Sequence, residues 1–119
     1  MKYLIHPSVF KLTNDIYKEW SGMTVKEYKK FKGLKKESLR DNMSEFEIAL
    51  ADIGELTTKE LAKKYKPFGL EENRKIAKEG GQVANNTRKD IEARLNGTII
   101  TKENTLTYQY IDDTKKLDN

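Results

Sequence analysis

The length and composition of this chain fit a single soluble domain. A helical bundle of 119 residues buries enough surface to fold without covalent staples. The sequence has no cysteine, which excludes disulfides and thiolate metal sites and is compatible with a reducing cytoplasm. The net charge of +4, from 23 basic and 19 acidic residues, permits an anionic partner but is modest for a nucleic-acid-binding protein.

The chain start does not look like a targeting segment. Residues 1–7 contain too short an apolar run for a signal peptide, and no segment approaches the roughly 20 apolar residues of a membrane span. We therefore expect a cytoplasmic protein, with association with the nucleoid as an alternative, and no membrane partner.

Apolar residues recur at helical spacing, and the strict alternation typical of strands is almost absent. The sequence predicts an all-α bundle of about five to six helices joined by short turns. The first helix is expected from about Pro7 to Trp20, and Ser21-Gly22 ends it. Its predicted inward stripe consists of Val9, Leu12, Ile16 and Trp20, with Phe10 and Tyr17 alongside.

The second element begins with a capping box. Thr24 and Glu27 have the spacing at which each side chain can bond the other residue's backbone amide. The pattern predicts a short helix to Lys32, which Gly33 ends. Residues 34–40 are predicted to form a further turn or short helix anchored in the core by its leucines.

The strongest predicted element is a central helix that opens with a second capping box, Ser44 and Glu47. Gly54 within it indicates either a helix crossing or a break, with a further helical turn over 58–65. Pro67-Phe68-Gly69 then predicts a turn. The predicted core side chains of this helix are Phe46, Ala49, Leu50, Ile53 and Leu56.

The second half of the chain predicts a short charged helix over 70–78 and a long helix over 83–95, separated by Gly80-Gly81. Asn96-Gly97 ends the long helix. The sequence allows an extended segment at 98–100, and Tyr108, Tyr110 and Ile111 are expected to dock on the bundle. We expect residues 1–111 to form one helical domain and residues 112–119 a polar, frayed tail.

Residues suited to catalysis are scarce. The sole histidine, His6, lies beside Pro7 at the chain start, where a helix-start or solvent-facing role is favoured over a general base. Phosphate-binding loops, dinucleotide fingerprints, serine nucleophile elbows and calcium loops are missing. Gly80-Gly81 before a helix could expose amides to a phosphate, but a tight turn is the preferred interpretation. We predict no enzyme, no cofactor and no metal.

A basic segment from Lys26 to Arg40 is the most informative surface feature. If Tyr28, Phe31 and Leu34 face inward, its cations spread over an outer surface that could neutralise phosphates. A solvated helix face is the alternative. Lysines position a nucleic acid but read few bases, so sequence-specific recognition is not predicted. The candidate nucleic-acid-binding residues are Lys26, Lys29, Lys30, Lys32, Lys35, Lys36 and Arg40.

A second polar group on the last long helix is a candidate partner-binding surface, formed by Asn85, Arg88 and Lys89. Its alternative role is intrahelical pairing, since Glu92 lies four residues after Arg88. Aromatic residues fall mainly at core-phase or turn-flanking positions, which favours core packing over binding. They are Phe10, Tyr17, Trp20, Tyr28, Phe31, Phe46, Tyr65 and Phe68.

Several residue strings between Phe10 and Leu106 together look like those of one known family. The first half contributes Met23-Thr24, Tyr28-Lys29, Lys32-Gly33-Leu34-Lys35-Lys36, Leu39-Arg40-Asp41-Asn42-Met43-Ser44 with Glu47, and Thr57-Thr58-Lys59-Glu60-Leu61-Ala62. The second half contributes Asn73, Ala77-Lys78-Glu79-Gly80-Gly81, Val83-Ala84, Arg88-Lys89, Ile91-Glu92 and Ile100-Thr101 with Asn104. Together they resemble the C-terminal domain of DNA damage-inducible protein D and of related phage antirepressors.

The resemblance implies a regulatory role in the DNA-damage (SOS) response or in phage repression and antirepression. Family members typically carry an N-terminal Bro-type domain, often linked to DNA binding, which residues 1–119 do not include. We therefore expect a non-enzymatic domain that binds a protein, such as a repressor or a recombinase filament. Two alternatives are sequence-nonspecific nucleic-acid binding through Lys26–Arg40 and phage-encoded inhibition of a host defence protein.

Overall fold

A computed structural model describes the backbone of residues 6–104 and the side chains of residues 11–104. This part of the chain forms four α-helices with no strand, which confirms the all-α class and corrects the expected five to six helices. A single 3₁₀ turn, Arg40–Asn42, lies between the second and third helices. The helices are α1 His6–Ser21, α2 Val25–Phe31, α3 Glu45–Tyr65 and α4 Gly69–Leu95. Residues 98–100 are irregular, and Tyr108, Tyr110, Ile111 and 112–119 lie outside the described residues.

Both predicted capping boxes are confirmed. The Glu27 amide donates to Thr24 Oγ1 at 3.2 Å, and the Thr24 amide donates to the Glu27 carboxylate at 2.8 Å. Ser44 and Glu47 repeat this arrangement at the start of α3, with distances of 3.3 and 3.0 Å. Each box satisfies two amides that the first helical turn leaves without partners.

The segment between α2 and α3 is less helical than predicted. Residues 34–40 were expected to form a turn or short helix, and the structure has a regular turn only at Arg40–Asn42. Leu39 is nevertheless buried and Leu34 half-buried, as expected of core anchors. Apolar anchoring therefore holds this loop without a helix.

The second half contains one helix where two were predicted. α4 runs without interruption through Gly80-Gly81, so the expected interhelical turn there is wrong. Both glycines are buried against neighbouring helices: a Cβ on Gly80 would meet the Gly54 carbonyl oxygen of α3 at 2.7 Å, and one on Gly81 would meet the Ile16 carbonyl oxygen of α1 at 2.8 Å. Gly54 likewise marks a crossing, not a break, because α3 continues through it.

The three long helices pack on one another, with α1 against both α3 and α4. Two contacts show that α1 and α4 run parallel: Arg74 pairs with Asp15 at 2.8 Å, and the Arg88 guanidinium donates to the Trp20 carbonyl at 2.9 Å further along both helices. α3 and α4 are antiparallel, as their short connection over 66–68 requires.

The largest core side chains form an aromatic cluster between α1 and α2. Trp20 lies within 6 Å of both Tyr17 and Tyr28, measured between ring centroids, and all three rings are buried. Core packing is therefore confirmed for these three aromatics. The remaining large apolar core residues include Leu12, Ile16, Leu39, Met43, Leu50 and Ile99.

The predicted inward face of α3 is partly wrong. Phe46 and Leu56 were expected in the core, but they are 49% and 59% exposed. Tyr65 and Phe68 also lie outside the core, and Val83 and Leu95 of α4 are exposed. α3 instead buries Glu47, Leu50, Ala51, Gly54, Thr58 and Ala62, whereas α4 buries Asn73, Ala77, Gly80, Gly81 and Ala84. Small residues line both buried faces because the two helices approach closely.

Candidate functional site

A buried ion pair joins α3 to the end of α2. Lys32 Nζ lies 3.0 Å from Glu47 Oε1, and both side chains are fully excluded from solvent. Lys32 also donates to the carbonyls of Thr101 at 2.8 Å and Glu103 at 2.7 Å. The three donors of its ammonium group therefore each have an acceptor.

This position corrects one of the candidate nucleic-acid-binding residues. Lys32 was expected on the outer surface, and the structure buries it completely, so it is not placed to contact a phosphate. Its neighbours explain why: it is the C-cap residue of α2 and points toward the first turn of α3, where Glu47 is buried. Sequence reasoning assigned Glu47 only a capping role, although its spacing of three and seven from Leu50 and Gly54 places it on the buried face.

Tyr28 completes this cluster. Its hydroxyl donates to the second carboxylate oxygen of Glu47. Burial raises the pKa of Tyr28 well above its usual value, and the hydrogen bond to Glu47 adds to the rise. Burial likewise raises the pKa of Tyr17 to about 12. The folded state thus holds two neutral phenols at a pH where an unfolded chain would ionise them.

We expect the free energy of unfolding to fall as the pH rises above about 10. The unfolded chain releases the tyrosine protons near pH 10, whereas folded Tyr17 keeps its proton to about pH 12. Below pH 10 the contribution is intact, and above it each such tyrosine costs about 1.4 kcal/mol per pH unit. Urea unfolding at several pH values from 9 to 11.5 measures this loss. The free energy of unfolding should fall less steeply with pH for Tyr17→Phe than for the unaltered chain. Equal slopes would contradict this prediction.

Most of the other basic candidates lie on the surface. Lys26, Lys30, Lys35 and Lys36 are exposed and Lys29 is half-buried. None of these lysines has an ion pair with the described residues. Arg40 is also exposed, but it pairs with Asp52 at 2.7 Å, and this hydrogen bond raises the pKa of the guanidinium.

One further lysine, which the sequence analysis did not single out, joins these residues. Lys102 is exposed, and its Nζ lies 5.7 Å from the centroid of the Phe31 ring on α2. No local spacing connects residues 71 positions apart, so only the fold brings them together. We define the α2 basic surface as Lys26, Lys30, Lys35, Lys36 and Lys102.

The candidate partner-binding group on α4 is mainly occupied within the chain. Arg88 is half-buried and donates to the Trp20 carbonyl, to Glu92 at 3.0 Å and to Asn85 at 2.9 Å. The predicted pairing of Arg88 with Glu92 is therefore confirmed. Lys89 is exposed, whereas Asn85 is half-buried, so the three side chains do not form one outward surface.

α3 presents a second apolar face that sequence analysis placed in the core. At 100° per residue, Phe46, Ala49, Ile53 and Leu56 fall within an arc of about 80° and extend over about 15 Å of helix. Phe46, Ala49 and Leu56 are exposed and Ile53 is half-buried. We call these four residues the α3 apolar stripe. Its centre lies roughly 140° from the buried face. Ile53 still packs against the core, as predicted, so the outward part of the stripe consists of Phe46, Ala49 and Leu56.

Comparisons with known proteins do not assign the chain to a family. No protein-family model matches it, and neither the curated proteins nor the solved structures contain a match. Among the described residues, no group of three or more histidine, cysteine, aspartate or glutamate side chains is arranged to hold a metal ion. None of the helices in that part of the chain is long and apolar enough to cross a membrane.

Proposed function

We propose that this chain is a non-enzymatic regulatory domain that binds a protein partner through the α3 apolar stripe. The observation that carries the proposal is the exposure of Phe46 and Leu56 on the outer side of a well-capped helix. Aliphatic and aromatic side chains that line up on one outer helix face are typical of surfaces that dock on other proteins. Burying Leu56 in an interface would recover about 1.5 kcal/mol or more.

The resemblance to DNA damage-inducible protein D supports a choice of partners. It favours a repressor or a recombinase filament, in the DNA-damage response or in phage repression. The charged side chains beside the stripe balance one another: two are acidic, Glu45 and Glu60, and two are basic, Lys59 and Lys63. The stripe therefore lies on a surface without a strong net charge. An apolar stripe of this kind fits a partner that has an apolar patch of its own.

Affinity capture from damaged and undamaged cells tests the proposal. The full chain is used as bait after nuclease treatment, and its partners are compared with those of Leu56→Asp. We expect the unaltered chain to retain a regulatory or recombination protein that Leu56→Asp loses at least tenfold. Gln82→Asp is the matched control, because Gln82 is exposed on α4 away from the stripe.

Three results would contradict the proposal, two from this experiment and one from sedimentation of the same variants. The first is equal capture by the unaltered chain and Leu56→Asp, and the second is capture that nuclease abolishes. The third is self-association of the chain through Leu56, which sedimentation would detect. Capture of a host defence protein would favour the alternative of a phage-encoded inhibitor.

A second candidate function is nucleic-acid binding through the α2 basic surface. The observation that favours it is the placement of Lys102 beside α2, which adds a fifth exposed cation to those of Lys26–Lys36. In the nuclease arm above, replacing Lys30, Lys35 and Lys36 by glutamine should reduce any nuclease-sensitive capture. Each lost phosphate contact should also lower the slope of log affinity against log salt by about 0.7 to 0.9.

A further inference from the structure

The turn between α3 and α4 projects two aromatic rings into solvent. Phe68 is 85% exposed and Tyr65 is 61% exposed, the largest exposures of any aromatic ring in the described part of the chain. We call residues 63–68 the hairpin tip. α3 separates it from the α2 basic surface by about 30 Å, the length of its 21 residues.

The backbone of the hairpin tip is held in place by hydrogen bonds. Lys66 ends α3 in the left-handed conformation, with φ of 47°, and its amide donates to the Ala62 carbonyl at 2.9 Å. The Phe68 amide donates to the Glu72 carboxylate at 3.1 Å. Asn73 is buried and donates to the Gly69 carbonyl at 2.7 Å. The rings are therefore exposed on an ordered turn, so a ligand would not need to order it.

Three lysines share the hairpin tip with these rings, and acidic residues flank it: Glu60 lies before it, and Glu71 and Glu72 follow it. Lys63, Lys64 and Lys66 are all exposed, and residues 61–70 contain neither aspartate nor glutamate. Lys64 Nζ lies 5.5 Å from the centroid of the Tyr65 ring. Lys63 pairs with Glu60 at 3.3 Å, but both side chains are about three-quarters exposed, so this pair is weak and screened.

We propose that the hairpin tip binds single-stranded nucleic acid. Tyr65 and Phe68 offer flat faces on which unpaired bases stack, and the three lysines lie where they can contact the backbone phosphates. Exposed aromatics among cations fit a ligand with apolar rings and regular negative charge. An acidic peptide would use the charge but not the rings, and a protein with an apolar patch would use the rings but not the charge.

The first test measures the affinity of the full chain for a fluorescently labelled oligothymidylate of twelve nucleotides, by fluorescence anisotropy at low salt. Phe68→Ala and Tyr65→Ala should each weaken binding by about 5- to 150-fold, the range expected for one stacked base. Replacing Lys63, Lys64 and Lys66 together by glutamine should lower the salt slope by about 2. Val83→Ala, a change at an exposed apolar residue of α4 outside both the tip and the α3 apolar stripe, should have no effect, and thermal unfolding of each variant checks its fold.

Four outcomes would overturn the proposal. One is that the oligonucleotide does not bind at low salt. Another is that Phe68→Ala and Tyr65→Ala bind as tightly as the unaltered chain while changes at Lys30, Lys35 and Lys36 abolish binding, which would assign the activity to the α2 basic surface. The third is equal binding of polyglutamate, and the fourth is equal binding of vesicles that contain phosphatidylserine, with the same dependence on both rings. None of these outcomes bears on a protein partner at the α3 apolar stripe.

Discussion

Replacing Glu47 by alanine should lower the free energy of unfolding by about 3 to 5 kcal/mol, the usual cost of removing one partner from a buried ion pair. The change leaves the Lys32 ammonium in a solvent-free site without its carboxylate. The Tyr28 hydroxyl also loses its acceptor. The Ser44 amide loses its acceptor as well, which removes one of the two hydrogen bonds of the capping box. Urea unfolding followed by circular dichroism measures the loss.

Glu45→Ala is the matched control for this substitution. Glu45 lies in the same first turn of α3 but is exposed, so its replacement should change the free energy of unfolding by less than about 0.5 kcal/mol. A loss of less than 1 kcal/mol for Glu47→Ala would contradict the assigned role of the pair.

A double variant separates the unpaired charge from the lost contacts. Glu47→Gln keeps an acceptor for Tyr28 but leaves Lys32 without a counter-charge. Adding Lys32→Met removes the ammonium group, so the double variant should be more stable than Glu47→Gln alone. The Thr101 and Glu103 carbonyls would then lose their donor, and amide hydrogen exchange should increase over residues 99–104.

The parts of the fold that depend on local hydrogen bonds could be predicted from the sequence. The capping boxes at Thr24 and Ser44 and the end of α4 at Asn96 were all predicted correctly. In each of them the interacting groups lie within five residues. The first helix could also be located, since one apolar stripe and a Ser-Gly stop define it.

Features that depend on distant residues could not be predicted in the same way. A glycine pair within a helical pattern is equally consistent with a turn and with a close crossing, and only the position of α1 and α3 decides that Gly80-Gly81 is a crossing. α3 carries two apolar faces, so its sequence does not reveal which one packs inward. The aliphatic and aromatic face was preferred, but the close approach of α4 requires the face with Gly54 and Ala51.

The candidate site shows the same limit. A lysine within a basic segment is normally solvated, and the burial of Lys32 depends on Glu47, 15 residues away, and on carbonyls about 70 residues away. Lys102 joins the α2 basic surface by a contact of similar sequence separation. The positions of single charged residues could therefore not be predicted without the fold. The exposure of most lysines in the segment could be predicted from the sequence alone.

Gly80→Ala should lower the free energy of unfolding by about 2 to 4 kcal/mol, the second large effect that we predict. A Cβ at this position would overlap Thr58 Oγ1 and lie 2.7 Å from the Gly54 carbonyl oxygen and 2.9 Å from the Thr58 amide nitrogen. The two backbone atoms belong to α3 and cannot rotate away, so the helices must separate. Alanine favours the helix by about 1 kcal/mol, which offsets only part of this cost.

A second substitution tests whether the backbone contact is the cause. Thr58→Ala removes the overlapping hydroxyl but leaves the Gly54 carbonyl in place, so in the Gly80→Ala background it should restore only part of the lost stability. Gly97→Ala is the control, because its nearest neighbour would be 3.9 Å away, and it should change the free energy of unfolding by less than about 0.5 kcal/mol. Full rescue by Thr58→Ala would show that the side chain alone limits the approach, and unchanged stability of Gly80→Ala would show that α3 and α4 are further apart than described. Close contact between these two backbones matters for both proposed surfaces, since the same pair of helices carries the α3 apolar stripe and the hairpin tip.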